Sequence, residues 1–322
     1  MNIGRRDFLR GAGAFGALAA GGCATGGGLF SGGAGDFDES LAVFLSDIHV
    51  TGDDANVQWR ETRRDLANRI AEILAMRPLP RHVVTFGDLS YDVGDPRDYR
   101  YAAKAFKVLE DAGVRVVHAV GNHDLRAPFR GEFPEAAESP VPGRIVTEVH
   151  FPSCDLLLLD SIVEKATDGD LGGEQLEWLG ATLAGRTRPV IVGAHHAPDQ
   201  IADLRYRGEH LSKILKSSPT AVGWINGHGH FWFSRPLVDW SASNQDAIPC
   251  AQLPAAGFWG EIGYAVFRAG ETEARLELHE SDFRFFTPLK PGEKRPRTWD
   301  TIVADKAGAR CRFPFARAGR IS

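Results

Sequence analysis

Five short apolar runs in this 322-residue chain each end at a polar loop carrying side chains that bind metals or move protons. Leu41-Ala42-Val43-Phe44-Leu45 runs into Ser46-Asp47-Ile48-His49, and His82-Val83-Val84-Thr85-Phe86 runs into Gly87-Asp88. Val116 to Val120 leads to Gly121-Asn122-His123-Asp124, and Pro189 to Ala194 leads to His195-His196. Thr220 to Ile225 leads to Asn226-Gly227-His228-Gly229-His230. Such runs read as buried strands. Between the first three, Leu66, Ile70, Ile73 and Leu74, then Ala102, Phe106 and Leu109, recur at helical spacing. Alternating strand and helix predicts an α/β fold. Open α/β sheets place their sites at the carboxyl ends of strands, which is where these polar residues fall.

The pattern continues with two adjacent strands, Arg144 to Phe151 and Asp155 to Asp160, and a helix from Glu174 to Ala184. Another helix is expected near Glu209 to Lys216. Beyond His230 the helical periodicity stops. Phe231 to Leu237, Ala247 to Leu253, Gly263 to Arg268 and Ala274 to His279 read as short strands. The expected organisation is a leader at 1–22, a Gly-rich linker at 23–36, the main folded domain at 37–287 and an extension at 288–322. That extension, with a Pro/Lys-rich start and a basic end, is expected to be a solvated, weakly structured tail.

Arg5-Arg6-Asp7-Phe8-Leu9, followed by the weakly apolar stretch Gly11 to Gly22, has the form of a twin-arginine export signal. The expected partner is the twin-arginine translocase, and the expected location is the periplasm or the outer side of a membrane. Cys23 follows Ala20-Gly21-Gly22 and is a candidate lipid anchor. No apolar run approaches the ~20 residues of a membrane span. A net charge of -5 gives no sign of nucleic-acid binding. Cys154, Cys250 and Cys311 lack paired metal-type spacing. A disulfide between two of them and buried free thiols are both open.

Asp47, His49, Asp88, Asn122, His195, His228 and His230 exceed what one tetrahedral zinc site needs. Two carboxylates, four imidazoles and an amide oxygen suit two cations sharing a bridging carboxylate.

Five motifs in this order resemble the calcineurin-like metallophosphoesterases: Asp47-x-His49, Gly87-Asp88, Gly121-Asn122-His123-Asp124, Val192-x-x-His195 and Gly227-His228-x-His230. The resemblance implies a four-layer α/β/β/α sandwich with two mixed central sheets. It implies two metal ions (Mn, Fe or Zn), one held by Asp47, His49 and His230, the other by Asn122, His195 and His228, with Asp88 bridging. It implies hydrolysis of a small phosphate ester by a metal-bridging hydroxide. His123 would face the substrate, oriented by Asp124, and Arg126 and His196 are candidate substrate contacts. Gly121 to Arg126 and Gln175-Leu176-Glu177-Trp178-Leu179 look like the cyclic-nucleotide phosphodiesterase branch. Gly87-Asp88-Leu89-Ser90-Tyr91 resembles the purple acid phosphatases, whose members act on monoesters and use that tyrosine as an iron ligand. Phe231, Trp232 and Phe233 form an aromatic stripe that either stacks a substrate ring or packs in the core. Diesters are the preferred reading, and a surface-anchored binding protein on the same scaffold is the non-catalytic alternative.

Overall fold

The computed structural model describes residues 36–55, 60–201, 208–236, 248–284 and 308–316. The twin-arginine leader, Cys23, the Gly-rich linker up to residue 35 and most of the 288–322 extension lie outside the described residues.

The first strands carry a period-two pattern with both faces apolar. In β1 (Phe37–Leu45), Ala42 and Phe44 point one way, and Val43 and Leu45 the other. β1 pairs in parallel with β2 (Leu79–Phe86), and β2 with β3 (Arg115–Ala119). Parallel strands need crossovers. These are α1 (Arg60–Ala75) and α2 (Pro96–Asp111). α2 starts where Asp95 accepts a hydrogen bond from the Arg97 amide and Pro96 takes the first position, a strong stop-start signal. α3 (Arg126–Glu132) is a short helix that no periodicity in the sequence announces. The antiparallel strands β10 (Gly260–Ala269), β11 (Glu273–Arg284) and β12 (Arg310–Pro314) complete a sheet of order β12-β11-β10-β1-β2-β3.

The second sheet has the order β4-β5-β6-β7-β9-β8. Its strands are β4 (Thr147–His150), β5 (Asp155–Leu159), β6 (Val190–Ala194), β7 (Ala221–Asn226), β8 (Phe233–Pro236) and β9 (Pro249–Gln252). Its helices are α4 (Gly172–Ala184) and α5 (Gly208–Ser217). Both sheets are mixed, as expected.

Three apolar layers hold the four structural layers together. Between the sheets lie Phe44, Phe86, Phe151, Leu158, Ile191 and Phe267. Outside the first sheet, Leu66, Ile70 and Phe106 of the helices meet Val43 and Val83. Outside the second, Leu176, Leu179, Leu183 and Leu215 meet Val190, Val192 and Trp224. No helix among the described residues is long and apolar enough to cross a membrane.

The expectation of a solvated tail fails at residues 310–314. β12 pairs antiparallel with β11, and Phe313 is fully buried. Arg310-Cys311-Arg312-Phe313 alternates charge and apolar bulk, so the arginines reach Glu277 and Glu273 on the outside while Cys311 and Phe313 turn inward. Phe313 lies against Gly223, where any Cβ would come within 2.2 Å of its ring. High charge marked this stretch as a tail, whereas its period of two makes it a strand. Cys154, Cys250 and Cys311 are buried free thiols.

One buried group makes stability depend on pH. His118 on β3 lies edge-on to Phe106, 5.0 Å between ring centroids, with Nδ1 3.0 Å from Thr85 Oγ1. Burial pushes its pKa down to about 3. Below the unfolded value of about 6.5, the unfolded chain takes up a proton that the folded chain refuses. Its contribution is therefore complete above pH 6.5 and is lost progressively as pH falls toward 3. His118→Phe should flatten the acid limb of stability by about 2 kcal/mol between pH 6.5 and pH 5. Urea unfolding of both chains in chelator at the two pH values measures this. Equal slopes would show that His118 does not carry the effect.

Candidate metal centre

The carboxyl ends of β1, β2 and β3 in one sheet and of β6 and β7 in the other converge on one place. Asp47 and His49 follow β1, Asp88 follows β2, and Asn122 follows β3. His195 follows β6, and His228 and His230 follow β7. All seven predicted ligands meet there. Asp47, His49, Asp88 and His230 form one cluster, and His195 and His228 belong to a second.

The backbone is bent to bring them together. Asp47 (φ 51°), His49 (47°), Asp88 (52°), His228 (67°) and His230 (60°) all sit in the left-handed region. A Cβ there costs roughly 1–2 kcal/mol per residue. Among the described residues only Lys165 joins them as a non-glycine with positive φ. Strain concentrated in this way marks a functional site. Main-chain bonds offset it: the Asp47 amide donates to the Gly87 carbonyl (3.1 Å), and the His49 amide to the Asp88 carbonyl (2.9 Å). Across the sheets, the His228 amide donates to Asp47 Oδ2 at 3.1 Å.

The donor set fits two cations. His49, His195 and His230 each place Nδ1 against a main-chain carbonyl, those of Tyr91 (2.9 Å), Phe86 (2.7 Å) and Trp259 (2.9 Å). A proton held at Nδ1 leaves the Nε2 lone pair facing inward, the usual way a ligating imidazole is oriented. In the first cluster, His49 Nε2 is buried without a hydrogen bond, and Asp47 Oδ1 lies 3.1 Å from His230 Nε2. In the second, Asn122 Oδ1 lies 3.0 Å from His195 Nε2 and 2.8 Å from His228 Nδ1, and the two nitrogens are 3.3 Å apart. One cation among these two ring nitrogens and the amide oxygen would engage all three. Asp88 faces both clusters, with Oδ2 3.5 Å from His49 Nε2 and 3.2 Å from His195 Nε2. Its Oδ1 accepts the His123 amide at 2.9 Å.

Each half pairs a carboxylate with an imidazole. Burial works to raise the Asp47 and Asp88 carboxyls, but the His230 and His195 imidazoles overcome it and hold both below the usual range. Burial likewise works against the charged form of His195, yet Asp88 beside it raises the pKa to about 9. His230 is raised in the same way by Asp47. His49 and His228 are pushed down by burial to about 4.

Three sequence-based roles need correction. Asp124 does not orient His123. Its buried carboxylate instead accepts the amides of Gly121 (2.8 Å), Ser90 (3.0 Å) and Leu89 (3.3 Å) and the Tyr99 hydroxyl (3.1 Å). Three amides from two ligand-bearing loops outcompete one side chain, so Asp124 ties those loops together. His123 is held by Asp92, with Nδ1 2.8 Å from its carbonyl and 3.2 Å from Oδ1. Arg126 does not reach for substrate. Its guanidinium forks onto the fully buried Asp160 at 2.7 and 2.8 Å and onto the Ile162 carbonyl at 2.8 Å. A buried carboxylate requires such a partner. His196 is occupied on both nitrogens, by Ser161 Oγ (2.8 Å) and the Thr167 carbonyl (2.9 Å), and packs inside the fold.

Of the aromatic stripe, Trp232 is core and Phe231 is half-buried. Sequence reasoning missed Asp92, Phe258 and Trp259. Asp92 is an acidic turn residue four positions after Asp88, a weak signal. Phe258-Trp259 stands between Gly257 and Gly260, and that flanking pair is the one clue.

Fold and donor set together define a dimetal-type phosphoesterase scaffold. Residues 42–231 match the profile of the calcineurin-like phosphoesterases, and the chain belongs to that family. It is 29% identical over 200 residues to a cAMP/cGMP dual specificity phosphodiesterase of Mycobacterium tuberculosis, covering 59% of this chain and 62% of that protein. It is 28% identical over 165 residues to a probable cyclic nucleotide phosphodiesterase of Psychrobacter arcticus, covering 46% and 56%. The chain thus spans less than two thirds of either relative. Among solved structures, a dimetal phosphatase from Danio rerio superposes with a TM-score of 0.57 at 16% identity, over 74% of this chain and 95% of that one. A purple acid phosphatase from yellow lupin gives 0.53 at 15% identity, over 75% and 51%. Both likenesses concern the fold.

Proposed function

We propose that this chain is an exported dinuclear metal-dependent phosphoesterase that prefers phosphodiesters to monoesters. The observation that carries the reading is Asp88 Oδ2, set between His49 and His195, one from each cluster. Asp47, His49 and His230 would hold one ion, Asn122, His195 and His228 the other, and Asp88 would serve both. When bound, such ions supply charge neutralisation at phosphorus and a water acidic enough to act near neutral pH.

The protein's own groups do the rest. Main-chain carbonyls fix the ligand tautomers. Asp124 holds the loops of Asp88 and Asn122 in register. His123, with its side chain 34% exposed, stands at the rim, able to deliver a proton to the departing oxygen. The complete ligand set speaks against a purely binding role. The diester preference is supported by the relatives named as cyclic nucleotide phosphodiesterases.

A panel of phosphomonoesters and diesters assayed with Mn, Fe and Zn tests this. We expect about two equivalents of metal per chain and faster diester turnover. Faster monoester turnover would transfer the chain to the phosphatase reading, and turnover of neither would remove the enzymatic one. Export is proposed from the Arg5-Arg6 leader. Replacing both arginines by lysine should retain the protein in the cytoplasm, and unchanged export of that variant would exclude the twin-arginine route.

A further inference from the structure

The first cluster is flanked by an aromatic surface that supplies none of its ligands. Phe258 lies with its ring centroid 4.3 Å from that of His49 and 5.7 Å from that of His230. Trp259 lies 4.7 Å from His230, and Tyr91 stands edge-on to Phe258 at 6.3 Å. Phe258, Trp259 and Tyr91 are all half-buried. His123 meets His49 edge-on at 4.9 Å. The rim histidine and Phe258 thus both pack on the one His49 ring.

The segment carrying these rings is fastened to the ligand loops. The Ala256 amide donates to the Ser46 carbonyl at 2.7 Å, the Glu261 amide to the His230 carbonyl at 2.9 Å, and the Trp259 carbonyl faces His230 Nδ1. Gly260 makes this fit possible: at φ 92° it passes the His230 carbonyl so closely that a Cβ would sit 2.4 Å from the oxygen. Rings on a segment bonded to the ligand-bearing loops are held in place relative to the centre. Orientation of that kind raises rate as well as affinity. An apolar lining alone would be served by leucine, and an aromatic face offers stacking in addition.

We propose that Phe258 and Trp259 form a wall that stacks a planar aromatic group of the ester, a nucleobase or aryl ring, and so determine which phosphate esters this centre accepts. The proposal rests on the phosphoesterase reading above and names its substrate class. Base–aromatic stacking contributes enough for truncation to cost about 10- to 100-fold.

The test uses the metal-loaded full chain and compares kcat/KM for an adenosine phosphodiester and a glycerol phosphodiester. In Phe258→Leu and Trp259→Leu the adenosine-to-glycerol ratio should fall about 10- to 100-fold. Phe258→Tyr, which keeps the ring, should retain the ratio. An unchanged ratio in both leucine variants with metals in place overturns the proposal, as does a tyrosine variant that loses the ratio as fully as leucine. Calorimetry with adenosine 5′-monophosphate against inorganic phosphate gives a reading independent of turnover. If the wild-type chain binds metals but hydrolyses neither ester, the phosphoesterase reading fails on its own. The wall then stands if the preference for the adenosine probe disappears in Phe258→Leu, and falls if that preference persists or never existed.

Discussion

Asp88→Ala should leave the chain without measurable phosphoesterase activity and remove more than one equivalent of bound metal. Asp88 faces both clusters: Oδ2 is 3.5 Å from His49 Nε2 and 3.2 Å from His195 Nε2. Removing it deletes a ligand from each side and half of the buried negative charge that Asp47 and Asp88 share. It also frees the His123 amide, which Oδ1 accepts at 2.9 Å. Each bound ion supplies several kcal/mol of transition-state stabilisation. Losing the use of both therefore costs on the order of 10³-fold or more. Asp88→Asn separates charge from shape, since its amide oxygen can still accept the His123 amide. It should lose metal nearly as completely. Metal analysis beside turnover decides the point. Loss of one equivalent with the other fully retained would show that Asp88 serves a single ion.

His123→Ala should keep both metals and still lose about 10²- to 10⁴-fold on alkyl or nucleoside esters. The imidazole stands outside the ligand set. Its Nδ1 is engaged by Asp92, and its Nε2 makes no hydrogen bond among the described residues. A ring held by one nitrogen and open at the other is suited to hand a proton to a leaving oxygen. A p-nitrophenolate leaving group of low basicity needs little such help, so its turnover should fall far less. Equal loss on both ester types with metals intact would rule out leaving-group protonation. Asp92→Ala should give a weaker version of the same split, because the ring keeps its place against His49 but loses its carboxylate partner.

The convergence of the candidate ligands was legible because each follows a continuous apolar strand, and the strand order brings those ends to one edge of each sheet. The roles beyond the ligands were not. Asp124 sits next to His123 in sequence, but the turn points the two side chains apart, and three amides claim the carboxylate. Arg126 follows the same motif, yet the buried Asp160, 34 residues away, determines its use. β12 carries a period of two too short to stand out against its charge. Phe258 and Trp259 come near the centre through β10 packing against β1, an antiparallel pairing between distant segments that no local pattern announces.

The seven candidate ligands are divided between the two sheets, four on the loops of β1 to β3 and three on those of β6 and β7. Two metal ions seated there would form a hasp across the open end of the sandwich, adding to the packed layer between the sheets and to bonds such as that from the Trp232 amide to Glu261. Folding and metal uptake then become one equilibrium. Each site occupied at a hundredfold excess over its dissociation constant adds about 2.7 kcal/mol to the folded state. The lifetime of the chain thus follows the free-metal concentration of its surroundings, and scarcity of the ions would shorten the life of the protein as well as silence it.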